Sequence, residues 1–137
     1  MTLTHRLHRD EVGMVGKIIV IWLVTVVLLG IVALDAVSVV FATFRVSDVA
    51  ATAASAGATV YRSGKDVSEA CDAALRSVEE SDADVQTTKS FCKVDTKTGD
   101  VTITIKKQAN TIVAGRLSFT EDLTKVVGKE TAGPSIL

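Results

Sequence analysis

The chain has 137 residues, 47% of them apolar and 23% charged, with a net charge of −1 from 15 Lys and Arg against 16 Asp and Glu. No basic excess points to nucleic acid as a partner. The only histidines, His5 and His8, precede a long apolar stretch, which excludes a histidine triad or a histidine zinc site in the remainder of the chain.

The apolar residues are concentrated near the start: from 18 to 44 the only charge is Asp35. Residues 18–34 read IIVIWLVTVVLLGIVAL, with Thr25 and Gly30 as the least hydrophobic members, both tolerated in membrane helices. About 20 apolar residues cross a ~30 Å hydrocarbon core, so a span that begins at Ile18 ends between Val37 and Val40. Lys17 then snorkels to one interface, and Asp35 nears the other, where a carboxylate costs less than at the midplane. As an ionisable group in such a helix, Asp35 is a functional candidate, with a partner helix as the expected source of its counter-group. Arg6, Arg9 and Lys17 precede the span, while only Arg45 follows it closely. That bias predicts a cytoplasmic N-terminus and an exported C-terminal domain, extracellular or periplasmic. The rival is a cleaved signal peptide. Its apolar region would be longer than the usual stretch of about 7–15 residues. Ala36-Val37-Ser38 is a passable cleavage site, and the cleaner small-residue sites lie far downstream.

Nothing interrupts the helix after the span. From Ala33 to Tyr61 there is no proline, the only glycine is Gly57, and alanines abound. One helix is expected over 15–62, ending at a Ser63-Gly64 C-cap. Ala50, Ala54 and Ala58 recur at i+4 and form a helix-packing face, open to the chain's own domain or to other subunits. A second helix starts at the Asp66/Glu69 capping box and carries Val67, Ala70, Cys71, Ala74, Leu75 and Val78 as one apolar stripe. It fades through Glu79, Glu80 and Asp82.

A hairpin follows: a strand of ragged alternation over 85–94, a turn over 95–100 in which Gly99 takes φ > 0, and a clean half-buried strand carrying Val101, Ile103 and Ile105. Beyond it, Asn110 is expected to cap a short helix reaching Leu117, Thr120 or Asp122 to start another turn, and 125–132 to form a last strand. The fold class expected is α+β: a long transmembrane helix that continues into a small pilin-like exported domain of one or two helices and an antiparallel sheet. Its divisions are a cytoplasmic segment 1–17, a transmembrane helix 18–40, an Ala-rich extension 41–63 and the exported domain 64–137.

Cys71 sits on the stripe of the second helix, and Cys92 shares strand parity with Val94. In an oxidising compartment these two faces bring the sulfurs together as a disulfide. Closing a loop of ~20 residues contributes about 3 kcal/mol in the chain-entropy model. Two separate buried thiols are the alternative; a reactive pair lacks both a C-x-x-C motif and a nearby histidine. No phosphate loop, dinucleotide fingerprint or H-E-x-x-H motif is present. The cluster Glu79, Glu80, Asp82 and Asp84 lacks the order of a calcium loop and reads as a solvated helix end. Lys106-Lys107 reads as a solvated strand edge. No catalytic residues, metal site, cofactor or small-molecule substrate is expected.

Gly30-Ile31-Val32, Asp35 and Val46-Ser47-Asp48-Val49-Ala50-Ala51-Thr52-Ala53-Ala54 together resemble the TadE/TadG-like family, the pilin-like proteins of tight-adherence (Flp-type) pilus and secretion systems. In that family an apolar N-terminal helix carries an Asp near its outer end, and an Ala-rich stretch follows about as far downstream as Val46 lies from Asp35. The resemblance implies a structural subunit whose N-terminal helix contacts the membrane and other pilin-like or secretion-apparatus subunits. It also implies prepilin-peptidase cleavage after a glycine, for which Gly13 and Gly16 are the candidates. The family's Glu would fall near Ile18, and neither glycine has Glu five residues on. An uncleaved chain stays anchored. The other reading is an accessory subunit of a different cell-envelope complex, gripping a larger partner through Asp35 or the Ala-rich helix. No constellation supports an enzyme.

Overall fold

The structure, a computed structural model, describes residues 4–133, with side-chain surroundings from Met14 onward. It is α+β, in the order α1 (Thr4–Gly64), α2 (Val67–Ser81), β1 (Gln86–Val94), β2 (Val101–Gln108), a 3-10 turn (Ala114–Arg116), a second 3-10 turn (Glu121–Thr124) and β3 (Lys125–Ala132). The last strand has the bounds expected from sequence. The first helix begins earlier than expected, inside the polar N-terminal segment.

α1 is 61 residues long, about 90 Å at 1.5 Å per residue. Its threonines hide their hydroxyls in the helix itself: Thr25 donates to the Ile21 carbonyl at 2.8 Å, and Thr43, Thr52 and Thr59 do likewise one turn back. The helix ends differently from expectation. Gly64 stays helical, and Lys65 takes the left-handed conformation at φ 59°, its N–H donating to the Tyr61 carbonyl at 2.8 Å. The single 5→1 bond is that of an αL cap, here without glycine. One residue later Asp66 caps α2, its carboxylate accepting from the Ser68 and Glu69 N–H groups at 2.7 and 3.1 Å.

The three strands form one antiparallel sheet in the order β1-β2-β3. The ragged alternation of β1 has a structural cause. Thr87 pairs with Ile105 and Cys92 with Ile103, so five steps along β1 match two along β2. The pairing slips between them, which frees the side chains there from strict alternation. The hairpin turn is as expected, with Gly99 at φ 82° and Asp95 accepting from the Lys97 N–H at 2.9 Å.

The core lies between one face of α1's second half, the stripe of α2 and one face of the sheet. Val101, Ile103 and Ile105 are fully buried in β2, as the alternation predicts. On α2 the buried stripe narrows to Ala70, Ala74 and Val78, because Val67 at the first turn stays 42% exposed while Cys71 and Leu75 sit at the edge. Ala50, Ala54 and Ala58 are buried inside the chain's own domain. Assembly with other subunits through that face is therefore corrected: α2 and the sheet already occupy it. Small residues permit that approach. A Cβ on Gly57 would lie 3.0 Å from the Ala70 carbonyl oxygen, and one on Gly128 would lie 2.8 Å from that of Val46.

Cys71 and Cys92 are joined, with their Cα atoms 5.8 Å apart, tying α2 to β1. The bond falls where the pairing of β1 with β2 resumes.

Candidate functional site

Among the described side chains, α1 is almost wholly uncovered up to Asp35. From Met14 to Leu34 every residue is exposed except Ile31, which is half-buried, and Trp22 exposes 70% of its surface. A stretch of 18 residues in this helix reaches a mean hydropathy of 2.8 with 6% of it buried. A soluble core helix of that composition is covered by its own protein. This one is long and apolar enough to cross a membrane, and Asp35 marks where protein contacts begin. Gly16 and Gly30 have open space around them. Gly13 lies in α1, but its surroundings fall outside the described residues.

Asp35 is 7% exposed. Its carboxylate accepts three consecutive backbone N–H groups, from Ile112 at 2.6 Å and from Val113 and Ala114 at 2.9 Å. The donors are the orphan amides that open the 3-10 turn Ala114–Arg116, a concave nest of N–H groups suited to an anion. The expectation of a partner-helix counter-group is corrected by this geometry: the backbone amides of the chain's own 112–114 loop satisfy Asp35. Asn110 is likewise not the cap. Its carbonyl instead accepts from the Ser38 hydroxyl, and the Thr111 hydroxyl accepts from the Gly115 N–H at 2.7 Å. Sequence reasoning missed this pairing because 77 residues separate Asp35 from Ile112. The available signal was the cluster of apolar residues around 112–123 with neither helical nor strand period.

Asp35, Val32 and Val39 of α1 form one wall of an open groove of about 510 Å³, and Leu117, Phe119 and Leu123 form the other. The groove is apolar, with the Asp35 carboxylate turned to the loop amides. Its shape fits a hydrocarbon chain or an apolar side chain better than a polar substrate.

One charged cluster of the domain ties α2 to β2 and α1. Asp82, at the C-terminal end of α2, accepts from the Lys107 ammonium, and its side chain is 8% exposed against 18% for Lys107. Arg45 reaches the same carboxylate at 3.8 Å and donates to the Ser81 carbonyl at 3.3 Å. The Lys107 hydrogen bond, with help from the Asp84 N–H and the charges of Lys107 and Arg45, holds the Asp82 carboxyl below its ordinary pKa against the opposing effect of burial. Lys107 is thus an ion-pair partner rather than a solvated edge residue. Among the described residues no group of three or more His, Cys, Asp or Glu is placed to hold a metal ion.

No family model, curated protein or solved structure matches the chain.

Proposed function

We propose that the chain is a single-pass, pilin-like structural subunit of a tight-adherence pilus or secretion apparatus, with its N-terminus in the cytoplasm and its folded domain outside. One observation carries the reading: α1 is continuous, but its stretch 18–34 is apolar on every side and almost wholly uncovered, while its second half is the spine of a small domain. A helix apolar all round requires an apolar surrounding, which lipid and neighbouring helices supply. The cystine favours the oxidising side for the domain. The residues from Gly30 to Ala54 that resemble TadE/TadG-like proteins bridge the two halves. The work proposed is scaffolding, which the uncovered apolar helix and the packed domain at its end support.

The test is capture of neighbours in the native membrane. A photo-crosslinking residue at Val27 should yield adducts with other single-pass subunits of one apparatus. Lipid adducts alone, from protein recovered in the membrane fraction, would leave an anchor without assembly and overturn the subunit reading. A reporter active only in the cytoplasm, fused after Leu137, should be silent; activity would overturn the orientation.

A further inference from the structure

The loop between β2 and β3 carries large apolar side chains that none of the described residues covers. Phe119 is 79% exposed, Leu123 70% and Ile112 55%. They lie beside the Asp35 end of the apolar half of α1, since the groove joins Leu117, Phe119 and Leu123 to Val32 and Val39. The exposed apolar surface of the helix therefore continues onto the loop at one level.

Much of the loop's backbone is met within the protein, the amides of Leu117, Ser118 and Phe119 at its tip excepted. The Ile112, Val113 and Ala114 amides bind Asp35, and that of Gly115 binds Thr111. The Arg116 amide donates to the Val113 carbonyl, those of Thr120 and Glu121 to the Leu117 carbonyl, and that of Leu123 to the Thr120 carbonyl. Irregular backbone is tolerated at membrane depth only when its polar groups are met within the protein. A loop bathed in water has no such need. The exposed apolar side chains, continuous with the apolar face of the helix, carry the case, and the paired amides of 112–116, 120, 121 and 123 lower the cost of placing them in lipid.

We propose that this loop is a second membrane contact: Ile112, Val113, Leu117, Phe119 and Leu123 sink into the outer leaflet, and the Asp35 carboxylate pegs the loop to the spanning helix. A phospholipid acyl chain occupies the groove. The immersion depth is that of interfacial anchors, about 5–10 Å into the boundary of headgroups and chains. Arg116 reaches back to the headgroups. The inference rests on the reading that the apolar half of α1 spans the bilayer.

The chain carries one native probe of the span, Trp22. Full-length protein is reconstituted in phosphatidylcholine and phosphatidylglycerol vesicles whose acyl chains bear bromine either near the headgroup or near the methyl end. Trp22 in the native chain reports the span; Trp22→Phe combined with Phe119→Trp reports the loop. Phe119 is too exposed for its replacement to disturb the core, and mapping of the Cys71–Cys92 bond checks the fold. The expected result is that both tryptophans lose most of their emission to brominated lipid, the loop tryptophan more to bromine near the headgroup. Adding Asp35→Asn, which puts an amide donor against the loop amides, should release the loop and restore much of that emission while Trp22 stays quenched. A loop tryptophan with water-like, unquenched emission beside a quenched Trp22 overturns the inference and leaves the span intact. A blue-shifted loop tryptophan that lipid does not quench places another copy of the chain on the groove and also overturns it. An unquenched Trp22 removes the span and the inference together.

Discussion

The two halves of α1 solve the same problem in opposite ways. Both are apolar helix, and both must leave water. In the first half, residues 18–34 carry Ile, Val, Leu and Trp around the whole circumference, exposed except for the half-buried Ile31. The second half carries Val46, Ala50, Ala54 and Ala58 on one face and polar residues on the other, with the small face fully covered. Large side chains on all sides suit a fluid solvent that conforms to any shape. Small side chains on one side suit a fixed partner that must approach closely. Packing detail should therefore matter in the second half and hardly at all in the first.

The largest effect should come from the bond that holds the packed half's partners together. Cys71→Ser opens the link between α2 and β1. Removal of a native disulfide from a small domain costs about 2–5 kcal/mol. Denaturant unfolding of the full chain in detergent micelles, followed by β-sheet circular dichroism, should show this loss. The helical signal of the free half should persist through that transition. A single coincident transition for helix and sheet would mean that the two halves are not independent.

Glycines give a sharper contrast. A Cβ on Gly128 would sit 2.5 Å from Val46 Cγ1 and 2.8 Å from the Val46 carbonyl oxygen, so β3 must move away from α1. Gly128→Ala should destabilise by about 1–3 kcal/mol, the usual cost of overpacking. Gly16→Ala meets nothing within 4 Å and only improves helix propensity, by about 0.5–1 kcal/mol where the helix is measured alone. The measurement is the midpoint of sheet unfolding for each variant. Equal midpoints would show that β3 adjusts freely and that close approach is not what fixes the glycine.

The ion pair of the packed half responds to pH. The folded-state pKa of Asp82 is lowered, chiefly by Lys107. Its contribution is therefore fully present above the unfolded Asp value of about 3.9 and is lost as pH falls through the lower folded value. Asp82→Asn should cost about 1–2 kcal/mol at neutral pH, less than in a dry interior, because Lys107 keeps 18% exposure. The gap between variant and parent should stay constant down to about pH 5 and close below about pH 4. A gap that persists unchanged into acid would assign the cost to packing rather than to charge.

The legible parts of the sequence were those with a period or a cap. Val101, Ile103 and Ile105 alternate and are buried; Asp66 caps α2; Gly99 takes the turn. The cystine was legible because Cys71 and Cys92 each sat on a patterned face. The Asp35 nest was not, because its donors are backbone amides, which every sequence has, and long-range docking selects which three point at the carboxylate. The slip in β1 was visible only as bad alternation. One bland reading failed in an instructive way: Lys107 looks solvated in sequence, but the fold places its ammonium on Asp82, while Glu79, Glu80 and Asp84 of the same acidic cluster stay exposed.

The smallest effect concerns the junction between α1 and α2, where sequence pointed to the wrong residue. Gly64 could adopt any conformation, but the left-handed position falls on Lys65, at φ 59°. A side chain in that region costs about 1–2 kcal/mol relative to the right-handed helix. Glycine at this position escapes the strain but gives the unfolded chain more freedom, worth about 0.4–1 kcal/mol against it. It also forfeits the Lys65 ammonium that lies 5.4 Å from the centre of the Tyr61 ring, a contact worth about 0.5 kcal/mol at an exposed site. The terms nearly cancel, and Lys65→Gly should stabilise by about 0.5 kcal/mol or less. Lys65→Ala separates the causes, because it keeps the strain and loses the ammonium. It should fall below the parent while Lys65→Gly matches or exceeds it in the same unfolding assay. If Ala equals Gly, backbone strain at this turn is not a factor, and the junction is set by the packing of Gly57 and Ala70 alone.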